Sequence, residues 1–384
     1  MPSGRILTTH TGSLPRPEPL VELLKAKEGR QPYDRDRLEA EIQRAVREVV
    51  SRQQQAGVDL VNDGEMSKVG YSTYITDRLT GFEGEAHDGP TQLADVADFP
   101  DFARRYMGTR PLASLRRPAC SGPVACRDLS EVRRDLANFK RALAEASLAE
   151  ALADRAFMTA ASPGVISVFL PNSYYPTREA YLFALADAMR PEYEAIVEAG
   201  LVLQLDCPDL AMSRHGEFAK LDLAQFRRQI EVNVAALNQA VANIPPERMR
   251  IHLCWGNYPG PHHYDVALRD IIDVVFTARP AAISYEAANP RHAHEWKIFR
   301  DIKLPEDKTL IPGVLDSTTN FIEHPELVAE RLCNLARLVG PERVIGGVDC
   351  GFSTFAGPTQ VSPDIVWRKL ASLAEGARLA TSML

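Results

Sequence analysis

The chain has 384 residues, 45% hydrophobic and 25% charged, with a formal net charge of -7. That balance fits a globular enzyme with a large core, and an acidic chain without a Lys/Arg run excludes a nucleic-acid partner. No stretch reaches the roughly 20 apolar residues of a membrane span, and the amino terminus, MPSGRILTTHTGSLPRP, carries no apolar secretory leader. The six cysteines (Cys120, Cys126, Cys207, Cys254, Cys333 and Cys350) are scattered, so reduced thiols in a cytoplasmic protein are expected rather than a disulfide framework.

In chain order, short apolar runs alternate with amphipathic helices. Ile6–His10 predicts a strand, and Asp34–Ala56 a helix with Leu38, Ile42, Val46 and Val49 at helical spacing. Val58–Asn62 predicts the second strand. Residues 66–152, rich in Gly, Pro and charge before a helical stretch at Leu129–Leu152, predict an insertion. The alternation resumes with a strand at Phe157–Ala161 and a helix at Arg178–Ala199. Strands at Val202–Asp206 and Met249–Cys254 flank a helix at Leu223–Ala242. A helix at Val266–Phe276 leads to a strand at Ala282–Glu286, and a short helix at His292–Asp301 to a strand at Thr309–Leu315. The helix Pro325–Val339, the strand Val344–Asp349 and the helix Pro363–Leu379 close the chain.

About eight strands, each followed by a helix, predict one (β/α)8 TIM barrel over residues 1–384, with residues 66–152 inserted after the second strand. A doubly wound open sheet is the alternative. It often carries a Gly-rich dinucleotide loop after its first strand, and neither G-x-G-x-x-G nor a Walker loop occurs.

Barrels place their chemistry at the carboxyl ends of the strands. Those ends here carry Thr9-His10-Thr11-Gly12-Ser13, Asn62-Asp63-Gly64-Glu65, Asp206, His252-Leu253-Cys254, Glu286, Asp316 and Asp349-Cys350. His252 and Cys254 are two apart on a strand, so both side chains lie on one face. Glu286 and Cys350 end strands that converge on the same mouth. Thiolate, imidazole and carboxylate are zinc ligand types, whereas two thiolates disfavour Mg and Ca. The bland alternatives are a buried Cys as a small hydrophobe, His as a satisfied core residue, and Glu65 and Asp206 as capping or solvated acids. Cys120, Cys126 and Cys333 match no ligand pattern, and Cys207 points away from the mouth by alternation. His262-His263 is assigned to a surface loop. Phe169–Tyr175, with Tyr174 and Tyr175, lines a pocket or covers a strand end, and Thr11-Gly12-Ser13 could offer backbone N–H groups to an anion.

At these residues the chain resembles the catalytic barrel of the cobalamin-independent methionine synthases. Thr8-Thr9-His10-Thr11-Gly12-Ser13-Leu14-Pro15 resembles the family's opening motif, Asn62-Asp63-Gly64-Glu65 its His-Gly-Glu, and Gln204-Leu205-Asp206-Cys207-Pro208 its Gln-Ile-Asp-Glu-Pro. His252-Leu253-Cys254, Ile283-Ser284-Tyr285-Glu286 and Val348-Asp349-Cys350-Gly351 resemble its metal-bearing segments. The resemblance implies His252, Cys254, Glu286 and Cys350 as Zn2+ ligands, Glu286 being displaced by the substrate thiol. It implies Gly12, Ser13, Glu65 and Asp206 as acceptor-binding residues, with His10 in the same opening motif, and Asp316 as a catalytic residue. In the family Asp316 belongs to an Asp-x-His-Ser motif; here Thr318 stands at the His, and no Trp occurs in Ser167–Tyr175 to stack on a pterin. The chain also resembles the epoxyalkane:coenzyme M transferase branch, with its Thr-Thr-His and Gly-Ser-Leu-Pro-Arg pattern.

A free thiol has a pKa of about 8.5 and is mostly protonated at neutral pH. Zinc ionises it, and two protein thiolates keep the bound sulfur nucleophilic. The expected activity is zinc-dependent S-methyl or S-alkyl transfer between a small thiol and an alkyl donor other than methyltetrahydrofolate. Folate-dependent homocysteine methylation is one alternative. A non-catalytic binding barrel or one of the uroporphyrinogen-decarboxylase type is the other. A homo-oligomer is allowed.

Overall fold

The computed structural model describes residues 4–86, 93–109, 118–150, 155–357 and 359–384. Parts of the predicted insertion, and the last residues of the helical stretch expected to reach Leu152, lie outside the described residues. The strands are β1 (Leu7–Thr8), β2 (Gly84–Glu85), β3 (Pro118–Ala119), β4 (Phe157–Ala161), β5 (Val202–Asp206), β6 (Met249–Leu253), β7 (Ala282–Tyr285), β8 (Thr309–Pro312) and β9 (Ile345–Gly346). β4 to β8 form a parallel sheet in sequence order, and β1 pairs in parallel with β9. These strands are almost continuously buried, as parallel strands covered on both faces must be.

Further backbone bonds extend this arrangement. Leu310 and Gly313 bridge in parallel to Val344 and Gly347, and Val61 to Ala156. Leu60 N donates to Thr8 O at 3.0 Å. The expected strand Val58–Asn62 therefore takes its place beside β1 and β4 without forming a regular ladder. The Asp59 carboxylate accepts from Thr8 N at 2.9 Å and from Thr8 Oγ1 at 3.0 Å, so side-chain bonds stand where ladder bonds would.

The long helices follow the sequence reading closely, at Arg35–Gln55, Arg178–Glu198, Leu223–Ala240, Pro325–Val339 and Pro363–Met383. The expected helix Val266–Phe276 is corrected to a 3-10 turn at Leu268–Asp270 and one α turn at Ile272–Val275. Three of the four residues in that turn are β-branched, and such residues lose χ1 freedom in a helix. The expected helix His292–Asp301 is a 3-10 segment at Glu295–Arg300. No described helix is long and apolar enough to cross a membrane.

The segment after Glu65 is pinned to this framework by a buried ionic network. Arg78 donates to Glu192 Oε1 at 2.7 Å and to Asp135 Oδ2 at 2.5 Å. Tyr74 donates to Glu192 Oε1 at 2.9 Å while its oxygen accepts from Ala161 N, at the end of β4. Burial works against the Arg78 charge, but the two carboxylates outweigh it and raise its pKa. Removing the cation leaves two buried carboxylates unpaired. Arg78→Met should therefore lower stability by about 3–5 kcal/mol in denaturant unfolding, with Arg78→Lys in between. An unchanged unfolding midpoint for Arg78→Met would contradict this.

Candidate metal centre and its pocket

Register brings the site together at the ends of β5, β6 and β7. Asp206 pairs with His252, and His252 with Ser284. One ligand atom each from His252, Cys254 and Cys350 lies within 4.8 Å of the others, and all three residues are buried. No other such group occurs among the described residues. His252 Nδ1 bonds Ser284 Oγ at 3.2 Å, which leaves Nε2 buried without a partner. That is the geometry of a metal-ligating histidine oriented through its other nitrogen. A hydrogen bond from the Cys350 thiol, aided by His252 and opposed by burial, holds Cys254 well below an ordinary thiol. The donating Cys350 thiol is correspondingly pushed well up. The shared proton sets the two sulfurs apart, and a His/Cys/Cys donor set fits zinc.

Glu286 lies beside this group rather than within it. Its Oε1 accepts from Trp255 N at 3.3 Å and its Oε2 from Asn289 Nδ2 at 2.7 Å. Burial first, then the charges of Cys254, Asp349 and Asp265, push its carboxyl well up. Asp349, named in the sequence only as part of a motif, sets the turn that carries Glu286. Its Oδ1 accepts from Ala287 N and Ala288 N at 2.8 Å, and its Oδ2 from Asn289 N at 2.7 Å.

Gly12, Ser13, Glu65 and Asp206, named from the sequence, are all buried, and Asp206 lies within electrostatic reach of both His252 and Glu65. Glu65 holds a positive φ of 59° in the turn after Asn62. Its Oε1 accepts from Thr159 Oγ1 at 2.7 Å, while its Oε2 is buried without a partner. Gly12, at φ 138°, allows the close approach: a Cβ there would meet Thr159 Cγ2 at 2.6 Å and Glu65 Oε1 at 3.1 Å. Ser13 is buried, and its carbonyl accepts from Phe352 N at 3.0 Å. Asp206 accepts from Gln204 Nε2 at 2.8 Å. Burial, then the neighbouring Glu65, raise its pKa to about 7. Lys68, which sequence reasoning missed, donates to Thr159 O at 2.7 Å and Thr159 Oγ1 at 2.9 Å. Two buried carboxylates with a vacant acceptor suit an ammonium group.

Both ring nitrogens of His10 have protein partners. Its Nδ1 accepts from Gly12 N at 3.2 Å and its Nε2 bonds Gln53 Oε1 at 2.7 Å, so neither ring nitrogen is left for a ligand. Burial lowers its pKa to about 3, so it is neutral. Asp316 is occupied locally, since its Oδ1 accepts from Thr318 N and Thr318 Oγ1 at 2.8 Å. His262 is not on a surface loop as expected. It is buried, with Nδ1 on Asp265 Oδ2 and Nε2 on Tyr258 O, both at 2.9 Å, while His263 is partly exposed beside Asp98. Cys207 turns from the mouth, its thiol donating to Leu205 O at 3.4 Å. Tyr175 covers the inserted segment, its hydroxyl accepting from Val124 N, and Tyr174 is exposed.

No family model matches the chain. It is similar to the methionine synthase of Saccharolobus islandicus (strain L.S.2.15 / Lassen #1), 26% identical over 382 residues, covering 98% of this chain and 95% of that one. The methionine synthase of Thermococcus kodakarensis is 24% identical over 381 residues, covering 97% and 92%. In fold, the chain is similar to a B12-independent methionine synthase from Shewanella sp. W3-18-1 in complex with selenomethionine, at TM-score 0.74, 20% identity and 98% coverage of both chains. A putative vitamin-B12-independent methionine synthase from Listeria monocytogenes gives TM-score 0.64 at 16% identity and 99% coverage of both.

If the three-residue group holds a metal, Cys254→Ser and Cys350→Ser should each remove most of it, and Cys333→Ser none. Elemental analysis of protein purified without chelator measures this. Full occupancy in both serine variants at the mouth would exclude the group as the metal site.

Proposed function

We propose, for a chain homologous to methionine synthases along nearly all of its length, that it is a zinc-dependent S-methyltransferase whose acceptor is a small amino thiol. The eight parallel segments are taken to close into a (β/α)8 barrel that forms one catalytic unit, with the segment after Glu65 inserted into it. The observation that carries the reading is the buried His252, Cys254 and Cys350 group with its unpartnered His252 Nε2, linked through Asp206 to Glu65, whose Oε2 is also unpartnered.

His252, Cys254 and Cys350 would hold the zinc, with Glu286 beside them as the ligand that yields to the substrate. The ion supplies positive charge that keeps a thiol ionised at neutral pH. Glu65 and Asp206 receive the ammonium end of the acceptor, and Gly12 leaves room for it. Asp349 holds the Glu286 turn, and Asn257, which donates to Gly351 O at 2.7 Å, steadies the loop after Cys350. Methyl transfer to homocysteine by the zinc-loaded protein, lost with the metal, is the direct test. Activity unaffected by removal of zinc would refute the reading.

The carboxylate must be ionised to hold an ammonium group, and Asp206 titrates near 7. Binding of methionine, a thioether with no thiol to titrate, should tighten by about tenfold from pH 6 to pH 8. Calorimetry measures this, and Asp206→Asn should flatten the profile. A flat profile in the parent protein would remove Asp206 from the acceptor site.

Methyltetrahydrofolate is expected to be a poor donor. The Thr318 hydroxyl donates to Asp316 and cannot protonate a departing pterin near neutral pH. General-acid help contributes about 10² to 10⁴ in rate, so homocysteine methylation from this donor should be slower by that order than with an activated donor. Rapid methionine formation from methyltetrahydrofolate would overturn this.

A further inference from the structure

Three aromatic rings from distant parts of the chain meet at Tyr71, whose phenol lies within electrostatic reach of Cys254 and Cys350. Tyr71 follows the Asn62–Glu65 turn, Phe169 ends the helix Pro163–Phe169, and Phe355 lies past Cys350. The Tyr71 ring meets the other two edge-on, with centroids 5.7 Å apart and interplanar angles of 79° and 62°. Backbone bonds fix the corner: Gly70 bridges Phe355, and Tyr71 N donates to Thr354 O at 3.2 Å. A Cβ at Gly70 would strike the Phe355 ring at 2.6 Å, so this seat requires glycine. All three rings are only half-buried, in contrast to the fully buried Trp255 and Phe157.

The surroundings are anionic. Burial, and then the charges of Cys254, Cys350, Asp206 and Asp209, hold the Tyr71 phenol well above its ordinary range. A phenol so placed stays neutral and is a poor acid. Ring faces carry negative charge, so aromatic rings edged by thiols and carboxylates favour an apolar cation over an apolar neutral molecule.

We infer that Tyr71, Phe169 and Phe355 form the seat of a sulfonium methyl donor beside His252, Cys254 and Cys350. The inference rests on the methyl-transfer reading above and names its donor. The ionised acceptor sulfur attacks the methyl carbon and a new S–C bond forms. The bond from methyl to the sulfonium sulfur breaks, its electron pair stays on the departing sulfur, and a neutral thioether leaves. Thiolate and sulfonium charges cancel, and the leaving group needs no proton. That matches a site in which Thr318 is tied to Asp316 and Tyr71 is not acidic.

The test titrates trimethylsulfonium, and separately tert-butanol as a neutral probe of similar shape, into the zinc-loaded protein by calorimetry. The cation should bind about tenfold tighter or better, the order expected of a partly desolvated cation–π contact. Tyr71→Leu, Phe169→Leu and Phe355→Leu should each lose most of that preference, and Tyr71→Phe should keep it. Three separate leucine variants keep the test usable if one fails to fold. Equal binding of both probes, or leucine variants with unchanged affinity for the cation, would overturn the inference. Zinc content and methyl transfer to homocysteine are measured on the same protein. A zinc-bearing, active enzyme without cation preference loses only this inference, whereas a protein that neither holds zinc nor transfers methyl loses the reading beneath it.

Discussion

Two sulfurs and an imidazole nitrogen confined within 4.8 Å, all buried, make an arrangement that resists its own charge. Burial favours neutral thiols, yet the Cys350 thiol hydrogen-bonds to Cys254 and pulls its pKa down while its own is pushed up. Glu286 and Asp349 add carboxyls to the same interior, the latter raised to about 7 by burial. Desolvated anions of this kind are costly unless a cation meets them or protons neutralise them. The framework must therefore hold these groups together against repulsion, and much of the surrounding structure does so.

The loop after β6 shows how. Trp255 is fully buried and stacks on His292 with centroids 3.9 Å apart, while its indole N–H donates to Val266 O at 2.7 Å. His292 in turn bonds Asp265 Oδ2 and Glu295 Oε2, each at 2.8 Å. Asp265 also meets His215 and His262. Burial raises its pKa, but the three histidines outweigh that and hold it low. Asp95, from the segment after Glu65, accepts from Tyr258 Oη and from His262 N. The loop that begins at Cys254 is thus braced partly by residues remote in sequence.

Such long-range bracing separates what was legible in the sequence from what was not. β4 and β5 fell where expected, because apolar runs buried on both faces carry their own signal. The grouping of His252, Cys254 and Cys350 was legible because strand alternation and strand ends place such residues by local rules. His262 was misplaced because its burial depends on Asp95 and Asp265, which no local pattern announces. The partner of His10 was illegible for the same reason, since Gln53 on the helix Arg35–Gln55 takes its Nε2. The Tyr71–Phe169–Phe355 corner depends on the bridge between Gly70 and Phe355, a pairing between segments far apart in sequence. A signal did exist at Gly70, a glycine immediately before an aromatic residue, but its meaning lay in the partner.

The interior cations are already committed, which determines what the pocket can accept. Arg250 lies below Asp206, donating to Gln204 Oε1 at 2.7 Å, Thr9 Oγ1 at 2.9 Å and His10 O at 2.8 Å. It rests over the Phe157 ring at 3.5 Å, and burial lowers its pKa to about 9. Arg16 is spent on Ser353 and the Glu65 carbonyl, and Lys68 on Thr159. Each of these cations is bound to carbonyl, amide or hydroxyl oxygens, so none forms a direct ion pair with Glu65, Asp206 or Cys254. In the proposed function these negative groups are matched by what enters, a metal ion at the sulfurs and an ammonium at the carboxylates. With Arg250, Arg16 and Lys68 turned toward neutral oxygens, Glu65 and Asp206 keep their negative charge for a cationic ligand.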